Sequence, residues 1–340
     1  MLLLTLVASC VFFLTNLISV QAATPVAVNY SLSPEQANNQ ADPKVGYYDL
    51  KVKPGQKETI KFKINNLDTQ THTYNIAVNR ATTDINGVIV YNQHNVKKDR
   101  DLKYNIENLV SYPKTATVNA KTSKEISVKI NAPESGFKGE LLGGILVDEN
   151  NQSNVTKAAK GVTLKNKYDY VLGLQLQEST NPTKSDLKLI NDFQTSDQGQ
   201  IYIAAEMDND VPKLEKNVDV SAKITPKNSS KVILKSSKNN MSIAPDSDFD
   251  YPVDVNTVGG RSRNNRLKPG TYTMHLNVKA NNGKNLWNLK RNFVITRKEN
   301  KQINKKTPNR SKDIWIILVS IIILIVIAGS VIFIYRRKQR

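Results

Sequence analysis

Ile60-Lys61-Phe62-Lys63-Ile64-Asn65 alternates apolar and polar residues one for one, the period of a strand with one face in a core and the other in water. The alternation returns in Tyr74-x-Ile76-x-Val78 and Ile126-x-Val128-x-Ile130. It returns again in Val218-x-Val220-x-Ala222-x-Ile224, Tyr251-x-Val253-x-Val255 and Tyr272-x-Met274-x-Leu276-x-Val278. Turn formers separate the runs: Lys53-Pro54-Gly55, Asn86-Gly87, Ala132-Pro133, Lys268-Pro269-Gly270 and Asn282-Gly283. No amphipathic helix of several turns precedes residue 314, although 181–192 has room for a short one. Short strands with turns at this spacing predict an all-β fold made of two tandem Ig-like β-sandwich domains.

The chain divides at Glu149-Asn150-Asn151-Gln152-Ser153-Asn154, which is polar and unpatterned. A fresh alternation begins at Tyr168-x-Tyr170-x-Leu172-x-Leu174-x-Leu176. The expected layout is therefore a first sandwich over 23–150, a linker over 151–166 and a second sandwich over 167–296. A basic, solvated stalk over 297–313 follows.

The two ends read as export and anchoring signals. Residues 1–20 are nearly all apolar, and Val20-Gln21-Ala22 is a small-residue cleavage pattern, so 1–22 is expected to be a signal peptide. It lacks the usual basic start, since no Lys or Arg precedes Lys44. Val7-Ala8-Ser9-Cys10 fits a lipobox on paper, but the mostly apolar stretch after Cys10 argues against a lipidated cysteine there. Residues 314–335 form an uncharged run long enough to cross about 30 Å of hydrocarbon as one transmembrane helix. Trp315 and Tyr335 sit at its ends, and Arg336-Arg337-Lys338-Gln339-Arg340 is a short basic tail expected in the cytoplasm. The expectation is a single-pass cell-membrane protein with its bulk outside.

Apolar residues make up 39% and charged residues 23% of the 340, a composition that folds rather than stays disordered. The formal net charge is +18, half of it in residues 297–340, where eleven Lys and Arg face Glu299 and Asp313. The mildly basic remainder suits an anionic setting such as a cell wall and gives no focused face for nucleic acid. Cys10 is the one cysteine, so the exported part has neither disulfides nor thiol chemistry, as is ordinary for a Gram-positive surface protein.

Signals for chemistry are sparse. His72, His94 and His275 are scattered, without metal-ligand spacing. Asp208-Asn209-Asp210 resembles a piece of a calcium loop but lacks the downstream Glu, and reads as a polar turn. There is no nucleophile elbow and no Gly-rich phosphate loop. Tyrosine is frequent, and the pair Tyr47-Tyr48 precedes a strand; aromatic faces can stack on sugars, against the plainer reading of core packing. Gly143-Gly144 within an apolar run marks either a bulge or a close approach, with simple sheet packing favoured. No catalytic, metal or cofactor-binding residue emerges, and no ligand-contacting residue is identified.

Several motifs occur in a recognisable order. They are Tyr47-Tyr48-Asp49-Leu50-Lys51-Val52-Lys53-Pro54-Gly55-Gln56, Asn79-Arg80-Ala81-Thr82-Thr83-Asp84-Ile85-Asn86-Gly87-Val88-Ile89-Val90-Tyr91, Leu102-Lys103-Tyr104, Pro113 and Gly139-Glu140-Leu141-Leu142-Gly143-Gly144-Ile145. With Tyr168-Asp169-Tyr170-Val171-Leu172-Gly173-Leu174-Gln175-Leu176 they resemble the WxL-interacting protein family of Gram-positive bacteria over nearly the whole chain. The resemblance implies a non-enzymatic adaptor or adhesin. Its first domain would bind peptidoglycan and its second host extracellular matrix components, beside WxL-domain surface proteins. No set of ligand residues comes with it. Two competing readings remain: a cell-wall-active hydrolase or transpeptidase, and a sensor or surface assembly chaperone. The sensor is disfavoured because only 336–340 follow the apolar run.

Overall fold

The computed structural model describes residues 29–94, 96, 102–150, 168–181, 183–197, 200–254, 257–258, 261–262, 267–306, 319–321 and 323. The alternating runs are strands, as their period demands. In the first unit these are β1 (Tyr30–Pro34), β2 (Tyr48–Lys51), β3 (Lys57–Asn66), β4 (His72–Arg80), β5 (Thr82–Thr83), β6 (Ile89–Val90), β7 (Val110–Ser111), β8 (Thr115–Val118), β9 (Ser123–Asn131), β10 (Glu140–Glu149) and β11 (Asp169–Gln177). They build two facing sheets, ordered β1-β3-β9-β7 and β2-β11-β10-β4-β8, with β5 and β6 forming a separate hairpin. Phe62, Ile64, Val128, Ile145 and Leu174 are fully buried between them. Each such side chain stabilises the fold by about 1.5–3 kcal/mol relative to exposure.

The second unit comprises β12 (Lys188–Asp197), β13 (Gln200–Asn209), β14 (Glu215–Pro226), β15 (Leu234–Ile243), β16 (Ser247–Asp254), β17 (Thr257–Val258), β18 (Arg261–Ser262), β19 (Gly270–Ala280) and β20 (Asn285–Ile295). A three-stranded sheet, β12-β13-β16, faces a four-stranded one, β15-β14-β19-β20. Its own core holds Ile203, Met207, Ile224, Tyr251, Met274 and Leu276. Two sandwiches with separate cores are what the alternation predicts.

Three expectations change. The strand at 169–177, expected to open the second unit at 167, hydrogen-bonds along β10 and pairs in parallel with β2, so it belongs to the first sandwich. Leu172, Leu174 and Leu176 all point into the first core. Residues 183–187 are irregular and β12 starts at Lys188, so the described part of 181–192 holds no helix.

The basic stretch after 296 is not all a solvated stalk. Arg297–Lys306 forms a helix, α1, whose single large apolar residue, Ile303, is buried in the second core. Thr296 Oγ1 accepts from the Glu299 N–H at 3.1 Å while Glu299 Oε2 accepts from the Thr296 N–H at 2.9 Å, a reciprocal cap that starts the helix. Asn300 Nδ2 donates to the Leu267 carbonyl at 3.2 Å and ties it down.

Among the described residues no helix is long and apolar enough to cross a membrane. The expected signal at 1–22, the linker 151–166, nearly all of the apolar run 314–335 and the tail 336–340 lie outside the described residues.

Candidate functional site

The β2–β3 turn shapes one end of the first sandwich. Pro54 presets its own φ, and Gly55 takes the positive φ of +68° that the next position of a tight turn requires. Gln56 N–H closes the turn on the Lys53 carbonyl at 3.0 Å, and Gly55 N–H reaches Pro133 O at 3.1 Å. Val52 N–H bonds to Gln177 O at 2.9 Å, fixing the turn beside the end of β11.

Around this turn lies a groove of about 1100 Å³, lined by Asn39, Gln40, Lys51, Val52, Gln56 and Thr180. It meets a second cleft of about 610 Å³ at Pro54 and Glu178. That cleft is walled by Tyr104 and Phe137 of the first unit and by Asp210, Pro212 and Asp246 of the second. Glu178 Oε1 accepts from the Phe137 N–H at 2.9 Å and so organises the floor. Tyr104 shares a short hydrogen bond with Ser135, and the Lys103 ammonium lies 5.0 Å from its ring centroid. That Ser135 bond, aided by Lys103, holds the Tyr104 phenol below its usual range. An aromatic plane beside amides and lysines can hold a sugar ring while bonding its hydroxyls.

The cleft keeps its shape because the two units are pinned together. Glu140 N–H donates to Pro212 O at 2.8 Å, and Glu140 Oε2 accepts from the Leu214 N–H at 3.3 Å. Burial at this seam raises the Glu140 carboxyl above its usual range. The β5–β6 hairpin packs on β15 and β16: Ala244 N–H donates to Thr83 Oγ1 at 2.9 Å and Ser242 N–H to Gly87 O at 2.8 Å. Lys238 Nζ donates to Ile85 O at 2.8 Å. The Asn86-Gly87 turn is thus the brace between units, which its local signature does not reveal. Gly139 has φ +73°, and a Cβ there would stand 2.0 Å from Pro212 O.

The other residues singled out in the sequence take mostly structural places. Gly143 and Gly144 lie in an unbroken ladder, so there is no bulge. Gly144 faces Gly173 across β10 and β11. Tyr91 rests on Gly144 and Tyr47 on Gly173; an added Cβ would come within 2.7 Å and 3.2 Å of them. Burial pushes Tyr91 up to about 12 and raises Tyr47. Tyr48 is a core residue whose hydroxyl donates to Lys61 O at 2.6 Å. His72 lies between Asp68, 2.9 Å from Nε2, and Glu149, 2.6 Å from Nδ1. His94 Nδ1 is 2.9 Å from Asn79 Oδ1. In Asp208-Asn209-Asp210, Asn209 bonds carbonyls and Asp210 pairs with Lys188. Among the described residues no group of three or more His, Cys, Asp or Glu is placed to hold a metal ion.

Asn39, Phe137 and Glu178 carry no signal that would single them out from other polar or aromatic residues. Lys51, Lys53, Gln56 and Tyr104 stand in the quoted motifs, which name them without a ligand role.

Two family models match the chain in order. The WxL Interacting Protein peptidoglycan binding domain matches residues 30–149, and the WxL Interacting Protein host binding domain matches residues 159–305. The second match takes in β11, which the hydrogen bonding assigns to the first sandwich. No match is found among curated proteins. Solved structures with some similarity include a chaperone–tip adhesin complex of CFA/I fimbriae, at 12% identity, 77% of this chain, 98% of that chain and a TM-score of 0.32. The class 5 fimbriae chaperone CfaA is similar at 14% identity, 72% of this chain, 95% of that chain and a TM-score of 0.28. The E. coli chaperone DraB is similar at 12%, 78%, 97% and 0.28. Scores this low carry no argument about the present chain.

Proposed function

This chain belongs to the WxL Interacting Protein family, and from that premise we propose that it is a non-enzymatic adaptor at the surface of a Gram-positive cell. The first sandwich grips peptidoglycan and the second faces host extracellular components. The observation that carries the wall-binding half is the groove at the β2–β3 turn, which opens into the cleft between the units. Thr180 offers a hydroxyl to sugar hydroxyls, Lys51 and Lys53 face stem-peptide carboxylates, and Tyr104 and Phe137 stack on sugar rings.

The apolar runs at 1–22 and 314–335 support export followed by a membrane anchor, with 336–340 inside the cell. A WxL-domain partner is supported by the family's name.

Sedimentation of the full chain, in nonionic detergent, with insoluble peptidoglycan tests the reading. Tyr104→Ala combined with Phe137→Ala should weaken retention about fivefold or more, the worth of one stacked ring. Unchanged retention would remove the groove from the proposal, and no sedimentation of the wild type would remove wall binding altogether. Release of soluble muropeptides by the wild type would favour the hydrolase instead.

A further inference from the structure

The outward side of the second unit's four-stranded sheet carries an unusual arrangement of charge. In the ladder register Lys235 of β15 stands opposite Lys223 of β14, Lys223 opposite His275 of β19, and His275 opposite Lys290 of β20. These residues alternate with the core positions Leu234, Ile224, Met274 and Leu289, so all four project from one face in a single row. Strands lie about 4.8 Å apart, so the row runs roughly 14 Å across the sheet. All three lysines are exposed, and none pairs with a carboxylate among the described residues.

Like charges set directly opposite one another destabilise a sheet. His275 stands between two of these lysines, and its imidazole is held below its usual range by partial burial and then by Lys223 and Lys290. The neighbouring row is neutral and hydrogen-bonding: Ser237, Ser221, Asn277 and Asn288. The acidic residue of this face in β14, Asp219, is two rows away and stands opposite Lys279.

The corresponding face of the first sandwich is built the other way. There Lys61 pairs with Glu125 at 2.7 Å and Lys63 lies 3.5 Å from Glu35. A surface with both signs interspersed is ordinary; a strand-to-strand file of one sign is a template for a linear polymer of the opposite sign.

We propose that this face of the second sandwich is a docking site for a sulfated linear polysaccharide of the host surface, bound across the strands along the row Lys235, Lys223, His275 and Lys290. The inference rests on the host-facing reading of the second unit. Charge complementarity selects a polyanion. The sheet face with serine and asparagine beside the row suits a hydroxyl-rich chain whose charges recur at close intervals.

The test uses the full chain in nonionic detergent, with heparin as the probe and immobilised extracellular matrix as a parallel surface. Lys223→Gln with Lys290→Gln should weaken heparin binding about tenfold or more, and should lower the salt dependence by about one unit of slope per lysine. Lys61→Gln with Lys63→Gln on the first sandwich, and Lys298→Gln with Lys301→Gln on α1, should leave it within about twofold. His275 faces Lys223 on one side and Lys290 on the other, with Thr225 Oγ1 3.4 Å from Nε2. A bound polyanion raises its proton affinity, so heparin should bind more tightly as pH falls from 7.5 to 5.5, and His275→Gln should flatten that trend.

Equal losses in the row and in the α1 control pair would mean general attraction to basic charge and would overturn the proposal. So would tighter binding to poly(glycerol phosphate) than to heparin, which would point to a wall polymer. Matrix binding that survives the row substitutions unchanged would sink this site while leaving the host-facing reading intact. No matrix binding by the wild type would sink that reading itself.

Discussion

Asn66 and Asn209 occupy matching places in the two sandwiches, each at the end of a long strand, β3 and β13. Each turns its amide to the carbonyl four residues on, Gln70 or Lys213, at 2.8 Å, and to a second carbonyl in a neighbouring segment, Val118 or Ala244, at 3.1 Å and 2.8 Å. The first unit completes the set, since Asn66 Oδ1 accepts from the Asp68 N–H at 2.9 Å. In the second, Asn209 Oδ1 is buried with no hydrogen-bond partner. The contrast extends inward. Tyr30 and Tyr48 of the first core place their hydroxyls on carbonyl oxygens. In the second, Asp192 faces the core beside Ala205 with both carboxylate oxygens unbonded and Arg291 Nε 4.0 Å away. Tyr251 and Tyr272 of the second core also reach carbonyls, and Asn39 Oδ1 and Thr82 Oγ1 of the first unit are buried without a partner. The difference therefore lies in the unbonded carboxylate of the second core. Unmet buried groups cost far more than bonded ones return, so the second sandwich is expected to be the weaker unit.

The largest effect that would break this comparison is one of pH. Burial pushes the Asp192 carboxyl up to about 7, against the pull of Arg291. Its folded form therefore holds a proton that the unfolded chain has released, so its contribution to stability is fully present below about pH 4 and is lost as pH rises through about 7. The full swing is on the order of 4 kcal/mol. Denaturation followed by Trp287 fluorescence between pH 4 and 8 should show it, and Asp192→Asn should flatten the curve; a flat wild-type curve would remove the contrast. Asp68 of the first unit behaves oppositely. The Thr69 N–H and His72 hold its carboxyl below the usual range, so its contribution is present at neutral pH and lost on acidification.

The asparagine pair gives a smaller, sharper test. Asn66→Ala should cost about 2–3 kcal/mol and Asn209→Ala about 1–2, because fewer bonds are lost at the second site. Urea titration of each variant compares them directly, and equal costs would contradict the ranking. Gly139→Ala should cost about 2 kcal/mol, since it combines a left-handed backbone with a Cβ against Pro212 O. If the seam couples the units, that variant should also split one unfolding transition into two. Thr296→Ala removes one half of the α1 cap and should cost about 1 kcal/mol, visible as faster amide exchange over Arg297–Lys306.

Much of the frame was legible beforehand, and for local reasons. Ile60, Phe62 and Ile64 alternate with lysines because a strand has two faces, and Asn86-Gly87 turns because glycine admits a positive φ. Thr296-Arg297-Lys298-Glu299 carries a legible helix-start pattern too, but one apolar residue, Ile303, gives no stripe to read, so α1 was expected to be solvated stalk. Alternation says that a strand has a buried face and not which sheet buries it, so it cannot assign β11 to the first sandwich. The groove is not legible because Gln56, Tyr104 and Glu178 are distant in sequence, and a motif does not say which residues meet in space.

By itself the sequence determined what depends on neighbours along the chain: strand period, turn positions, two cores' worth of apolar residues, the charged tail and the family motifs. The tertiary structure alone decided register and partnership. It placed Leu172, Leu174 and Leu176 in the first core, set Gly87 as a brace against Ser242, and aligned Lys235, Lys223, His275 and Lys290 into one row. The reason is physical. Turns and periods are paid for within a few residues, whereas sheet order and register follow from burying all apolar surface at once, a condition that couples residues scattered along the whole chain.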